Sequence, residues 1–291
     1  MFQKCGFADA TSDLAAADFV IIGLPFDSTA SFRSGSREGP DAIRLASYNF
    51  ESYDHYYDID LADLKICDLG NMELGSDPGY ASATIKEGIS MLPENVVPIF
   101  LGGEHSIAPP IVEGLIERSN ESLGVLVLDA HLDLRNEYGC TRFSHACTSK
   151  RILEVKGVQG YASVGIRSGC QEEFSFAAEN VSYATSRDVR EKGIDQVLDI
   201  IFESLDTDRI YLSIDLDVLD PAFAPAVGNP EPFGMNPWDV KRVLERTAPL
   251  AAGLDINELA PAYDRGETAL LTARLAREFI AAKAKKNRKN D

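Results

Sequence analysis

Apolar residues along this chain gather in short runs, separated by longer amphipathic stretches. The runs are "DFVIIGLPF" (18–26), "VVPIFLGG" (96–103), "LGVLVLDAH" (123–131), "YASVGI" (161–166), "RIYLSIDLD" (209–217) and "AAGLDINEL" (251–259). They are rich in β-branched residues, lack a strict apolar–polar alternation, and stop at Gly, Pro or polar clusters. That is the pattern of strands buried on both faces. Between them, residues 80–92, 107–118, 194–205 and 237–246 have helical character, and "GETALLTARLAREFIAAKAKK" (266–286) predicts a long final helix. Ser106 stands before the second helix as its expected N-cap. The basic end, residues 283–291, is expected to fray.

Strands alternating with helices predict an α/β fold with a mainly parallel central sheet and helices on both faces. No internal repeat or linker breaks the series, so residues 1–291 are expected to form one domain. In such sheets, ligands collect beyond the carboxyl ends of the strands.

Composition narrows the function classes. With 46 acidic against 28 basic residues the net charge is −18, the wrong sign for nucleic acid or an anionic membrane surface. It is compatible with a small cationic substrate. The five cysteines, Cys5, Cys67, Cys140, Cys147 and Cys170, are scattered and form no CxxC pair. They predict reduced thiols in a cytoplasmic protein rather than a disulfide framework or a zinc knuckle. No stretch approaches the roughly 20 apolar residues of a membrane helix.

The polar residues that interrupt the runs carry the chemistry. The chain has four histidines, and three of them, His105, His131 and His145, lie at or soon after apolar strand ends. "DAHLD" sets Asp129, His131 and Asp133 at alternate positions, and "SIDLD" repeats the device with Asp215 and Asp217. On extended chain, alternate side chains project to one side, so each set is expected to converge. Carboxylates gathered at one sheet edge repel one another and take up protons unless cations face them. With His105 added, the O/N donors exceed one zinc site and suit Mn²⁺. Two divalent ions roughly 3.5–4 Å apart lower the pKa of a water between them, which predicts a hydrolase. Asp220, in "LDP", is expected to serve a turn instead.

"GGEHS", "DAHLDL", "SIDLDVLDPAFAPAVGNPEP" and "FDSTASFRSGSREGP" closely resemble the ureohydrolase (arginase/agmatinase) family, over about residues 21–264, and its agmatinase branch most. The resemblance implies a three-layer α/β/α fold, shared with metal-dependent deacetylases, and two Mn²⁺ ions per chain. By motif position, His105, Asp129, Asp133 and Asp215 would hold one ion, and His131, Asp129, Asp215 and Asp217 the other. His145 matches the family's proton-shuttling histidine beside the substrate, and Glu258, in "DINELAP", matches the acid that receives the guanidinium. The implied reaction is hydrolysis of agmatine to urea and putrescine, in a homotrimer or homohexamer. The chain carries Glu104 where the family often has Asp, and no Gly follows His145. Alternatives are another guanidino hydrolase, such as an arginase or guanidinobutyrase, a deacetylase-like amide hydrolase using one zinc, and a non-catalytic polyamine-binding protein.

Overall fold

The computed structural model describes residues 6–290, the last five by backbone alone. Ten strands and nine α-helices follow in order: β1 (Phe19–Leu24), α1 (Gly39–Ser47), β2 (Tyr53–Asp54), β3 (Ile59–Asp60), β4 (Ile66–Asn71), α2 (Pro78–Ser90), β5 (Val97–Gly102), α3 (Ala108–Ser119), β6 (Leu123–Leu128), α4 (Thr148–Glu154), β7 (Val158–Ile166), α5 (Gln171–Asn180), β8 (Ser182–Thr185), α6 (Ser186–Lys192), α7 (Ile194–Leu205), β9 (Ile210–Asp215), α8 (Pro237–Thr247), β10 (Ala251–Asn257) and α9 (Glu267–Asn290). Apart from the small β2–β3 hairpin, the strands form one eight-stranded sheet in the order β4-β1-β5-β10-β9-β6-β7-β8. Every neighbouring pair in it is parallel.

The two faces of each strand bury into different cores. Phe19 and Ile21 of β1 pack with Leu126, Leu128, Leu212 and Ile214 beneath helices α1, α7, α8 and α9. Val20, Ile22 and Leu24 pack on the other side, with Phe100, Val125, Val127 and the apolar faces of α2 and α3. Double burial explains why these strands read as unbroken apolar runs. The result is three layers, as expected. α9 is tied down at two points: Arg277 bonds Asp9 and the Glu51 carbonyl, and Lys283 donates to the carbonyls of Pro249 and Ala251. The frayed segment expected over 283–291 therefore begins at an anchored residue, and its side chains from 286 onward, like Cys5, lie outside the described residues.

All the strands expected from the sequence are present. The structure adds β4 and β8, which lie at the sheet edges, and the short helices α1, α4, α5 and α6. β4 is buried only at Ile66 and Cys67, so it never shows a long apolar run. Ser106 is not a helix cap. His105–Ile107 forms a 3-10 turn ahead of α3, and the Ser106 hydroxyl donates to Glu104 Oε1 at 2.6 Å. Asp220 does serve a turn, accepting from the amides of Ala222 and Gly234.

β5 and β6 are consecutive in the chain but separated in the sheet, with β9 and β10 filling the gap. The carboxyl ends of these central strands stand side by side, and the loops leaving them meet there.

Candidate metal centre

His105 follows β5, Asp129 to Asp133 follow β6, Asp215 closes β9 with Asp217 just after, and Glu258 follows β10. The expected ligands converge, with the chain extended at His131 and Asp215 but turned at Asp133 and at residues 216–218. Asp133 has a left-handed backbone, φ 51°, and residues 216–218 coil into a 3-10 turn. Each turn is pinned by its leading carboxylate: Asp129 Oδ1 accepts the His131 N–H at 2.6 Å, and Asp215 Oδ1 accepts the Asp217 N–H at 2.9 Å. These local turns aim the alternate side chains at one point, while the chain itself runs on, His131 still pairing with Ser168 in a parallel bridge.

His105 Nδ1 lies 3.1 Å from Asp129 Oδ2, 3.4 Å from Asp215 Oδ2 and 3.5 Å from Asp133 Oδ2. On the other side, His131 Nδ1 lies 2.9 Å from Asp217 Oδ2 and 3.5 Å from Asp129 Oδ1. Two ligand groups result, His105–Asp129–Asp215 and Asp129–His131–Asp217, sharing Asp129.

The donor atoms have the chemistry of a cation site. His105 Nδ1 and Asp129 Oδ2 are both buried and lack a hydrogen-bond partner. On the far side of the ring, His105 Nε2 is 2.9 Å from Ser213 Oγ, and the Ser213 hydroxyl donates to Asp255 Oδ1 at 2.6 Å. Asp255 also accepts from Tyr211 and Asn257. With its own proton committed to Asp255, Ser213 can only accept from Nε2–H. Nδ1 then presents a lone pair to three carboxylates, an arrangement that a cation resolves.

Without a cation, protons take that role. Burial opposes the charge on His105, but the nearby carboxylates of Asp129 and Asp133 outweigh it and hold its pKa well above the ordinary value. His131 is held near 12, its burial overcome by Asp217 and Asp129. Asp133 is pushed up to about 7 by burial and by Asp129, and Asp215 is raised well above its ordinary range by burial and the neighbouring carboxylates. A site that stores protons in this way releases them to metal.

A cavity of about 600 Å³ opens beside the cluster, lined by Asp133, Asp215 and Asp217 and by Ser31, Tyr138, His145, Glu231 and Glu258. Glu258 is buried, with φ 68°. Its Oε1 accepts the His105 N–H at 2.8 Å, and its own N–H donates to the Gly103 carbonyl at 2.7 Å. Burial, with Glu104 nearby, pushes its carboxyl up to about 8. At Gly228 a Cβ would come within 2.9 Å of Glu258 Oε2, so this glycine leaves that oxygen its space. His145 starts a 3-10 turn capped by Ser144, and burial together with the positive histidines lowers its pKa to about 4.

The chain is similar to known proteins in both sequence and fold. A model of the arginase family matches residues 17–282. The agmatinase of Pyrococcus horikoshii is 41% identical, over 94% of this chain and 95% of that protein. The N(1)-aminopropylagmatine ureohydrolase of Thermococcus kodakarensis is 40% identical over 92% of each. The crystal structure of the agmatine ureohydrolase of Thermoplasma volcanium superposes with a TM-score of 0.94 at 40% identity, covering 100% of this chain and 98% of that one. The chain belongs to the arginase family.

The cluster is held by residues that carry little signal in the sequence of this arginase-family chain. Ser213 and Asp255, which orient His105, were not singled out in the sequence; a Ser and an Asp inside a strand carry no motif. Nor was Arg167. Its guanidinium donates to the carbonyls of Gly165, Asp217, Val218, Leu219, Glu231 and Pro232, joining the loop after β9 to the segment that carries Glu231. Its only outward sign was "VGIRSG" at the end of a strand. Among the described residues, Cys140, Cys147 and Cys170 are outside any disulfide, and no helix is long and apolar enough to cross a membrane.

Proposed function

We propose that this protein hydrolyses agmatine to urea and putrescine at a centre of two Mn²⁺ ions held by His105, Asp129, His131, Asp133, Asp215 and Asp217. The observation that carries the reading is Glu258: a buried carboxylate, fixed by the His105 amide, facing the same cavity as both ligand groups. Ions bound there would supply Lewis acidity and lower the pKa of a water between them.

The rest is done by the chain. A guanidinium is a planar fork of donors that pairs with a carboxylate through parallel hydrogen bonds. Glu258, protonated up to about pH 8 when alone, ionises as that cation arrives, because an opposite charge lowers a carboxyl pKa. In the reaction the water oxygen bonds to the guanidinium carbon and the carbon–nitrogen bond to the alkyl chain breaks. Both water protons finish on the departing amine, giving urea and an alkylammonium ion. His145, on the cavity wall and neutral near pH 7, is placed to carry a proton between them. The far end of the substrate is an ammonium, and Glu231 is a carboxylate of the same lining, its Oε1 3.7 Å from His131 Nε2. Arg135, a cation of the lining that could hold an α-carboxylate such as that of arginine, already faces Glu173 at 3.5 Å.

A second reading is a guanidino compound with a longer polyamine tail, supported by the cavity's size and by the aminopropylagmatine-hydrolysing relative. Cytoplasmic residence, in keeping with the free thiols, and assembly as a homotrimer or homohexamer belong to the same proposal; sedimentation tests the latter.

The test is urea release from the Mn²⁺-loaded protein with agmatine, N(1)-aminopropylagmatine, arginine and 4-guanidinobutyrate in parallel, together with metal analysis. Urea from agmatine, with two ions per chain, is expected. Glu258→Ala should keep both ions and lose most turnover. A single tightly bound ion and no urea from any of the four would overturn the reading.

A further inference from the structure

Thr29 lies outside the ligand set, yet the hydrogen-bonding capacity of its hydroxyl is filled on every side. A threonine hydroxyl has one proton and two lone pairs. Thr29 Oγ1 lies 2.6 Å from Glu104 Oε1, accepts the backbone N–H of His145 at 3.0 Å, and lies 3.1 Å from His145 Nδ1.

The direction of each bond follows from Glu104. This fully buried carboxylate meets donors elsewhere too: the Thr29 N–H on Oε2 at 2.8 Å and the Ser106 hydroxyl on Oε1 at 2.6 Å. Three donors, the Thr29 N–H, the Thr29 hydroxyl and the Ser106 hydroxyl, thus converge on Glu104, whose two oxygens accept from all of them. The Thr29 proton therefore points to Glu104. One lone pair takes the His145 backbone N–H, and the other meets only His145 Nδ1, which must bring a proton.

We infer that Glu104 and Thr29 are positioning residues that hold His145 in its Nδ1–H tautomer, leaving Nε2 as the lone-pair nitrogen. Nε2 lies 3.4 Å from Ser31 Oγ, a cavity-lining hydroxyl that can donate to it. The consequence for the proposed reaction, on which this functional role rests, is that one nitrogen both takes and returns the proton. While His145 is charged, its Nδ1–H keeps its acceptor, and the Glu104 carboxylate stands one hydroxyl away. The opposite tautomer would turn a proton toward the position where one has to be received.

The test reads the tautomer directly. Full-length protein labelled with ¹⁵N-histidine and loaded with diamagnetic Mg²⁺ gives ring-nitrogen spectra, and the His145 signals are assigned by their loss in His145→Gln. In the wild type, Nδ1 should be the protonated nitrogen and Nε2 the bare one. Thr29→Val should give a mixture of the two forms. Glu104→Gln should reverse the relay: its carbonyl oxygen stays on the Thr29 N–H, its NH₂ donates to Thr29 Oγ1, and Thr29 then donates to Nδ1, so the proton moves to Nε2.

In the Mn²⁺ enzyme, Thr29→Val should lower kcat by about tenfold, with KM little changed, a fraction of what a positioned acid–base group contributes. Thr29→Ser should restore it. A wild-type His145 bearing its proton on Nε2, or a Thr29→Val spectrum identical to wild type, overturns the relay. The wild-type spectrum needs no variant to fold. The expected tautomers without urea from any guanidino compound would leave the relay standing and remove the proposed reaction.

Discussion

Replacing Ser213 with alanine removes one oxygen from a fully buried position. That oxygen accepts from His105 Nε2 at 2.9 Å and donates to Asp255 at 2.6 Å. Two effects follow, and they can be separated. The first is on folding: groups left buried without partners cost about 1–3 kcal/mol each. Asp255 keeps Tyr211 and Asn257, so the penalty falls mainly on the His105 ring. The second is on metal. With Nε2–H no longer held, the ring can rotate or exchange tautomers, and Nδ1 presents its lone pair to the carboxylates for only part of the time. Removing an outer hydrogen-bond partner of this kind weakens a metal site by roughly 10–100-fold, or about 1.4–2.7 kcal/mol. Calorimetric titration of the metal-free chain with Mn²⁺ measures this, beside thermal unfolding with and without the ion. The expected result is weaker binding at the group containing His105, with the His131–Asp217 group little affected, and recovery in Ser213→Thr. A variant that unfolds at lower temperature but binds both ions as tightly as wild type would refute the reasoning and leave Ser213 an ordinary core hydrogen bond.

Metal loading should depend on pH with a definite sign. The metal-free folded chain keeps the Asp133 proton up to about pH 7, whereas the unfolded chain gives it up near pH 3.9. This group therefore lowers the stability of the metal-free protein as pH rises through that window, with no further loss above it. An ion must displace the same proton, so Mn²⁺ affinity should rise roughly tenfold between pH 6 and pH 8 from Asp133 alone; equal affinities at the two values would contradict the shift. Gly228→Ala would place a methyl group 2.9 Å from Glu258 Oε2, and Oε1 is already tied to the His105 amide. The expected outcome is full metal content with a raised KM for the guanidino substrate, and unchanged kinetics would show that Glu258 yields freely.

What could be read from the sequence divides along physical lines. β6 and β9 were plain because both their faces are buried, which demands an apolar residue at every position. β4 and β8 border the sheet, and α5 and α6 carry many charged residues, so none of them shows such a pattern. The ligands were visible because His and Asp are out of place at the ends of apolar strands. Their route to convergence was not, since a positive φ at Asp133 and the coil after Asp215 arise from side-chain-to-amide bonds that periodicity does not encode. Thr29, Ser213 and Asp255 stayed hidden for a related reason. Each acts by the direction in which it passes a proton, and direction is fixed only once its partners are in place.

Arg167 has a consequence for how this site can diverge. Its contacts with the loops are to main-chain oxygens, which every residue type supplies. The path of those loops is thus held independently of the side chains they carry. Within the segment between the bonded carbonyls of Leu219 and Glu231, Asn229 of the cavity wall can change while Asp217 stays in place, whereas Gly228 must stay small beside Glu258 Oε2. A scaffold organised this way separates the part that must not drift, the carboxylates of the cluster, from a part of the cavity wall that can vary. Related chains can therefore come to act on different guanidino compounds by substitution in this segment, without rebuilding the centre beneath it.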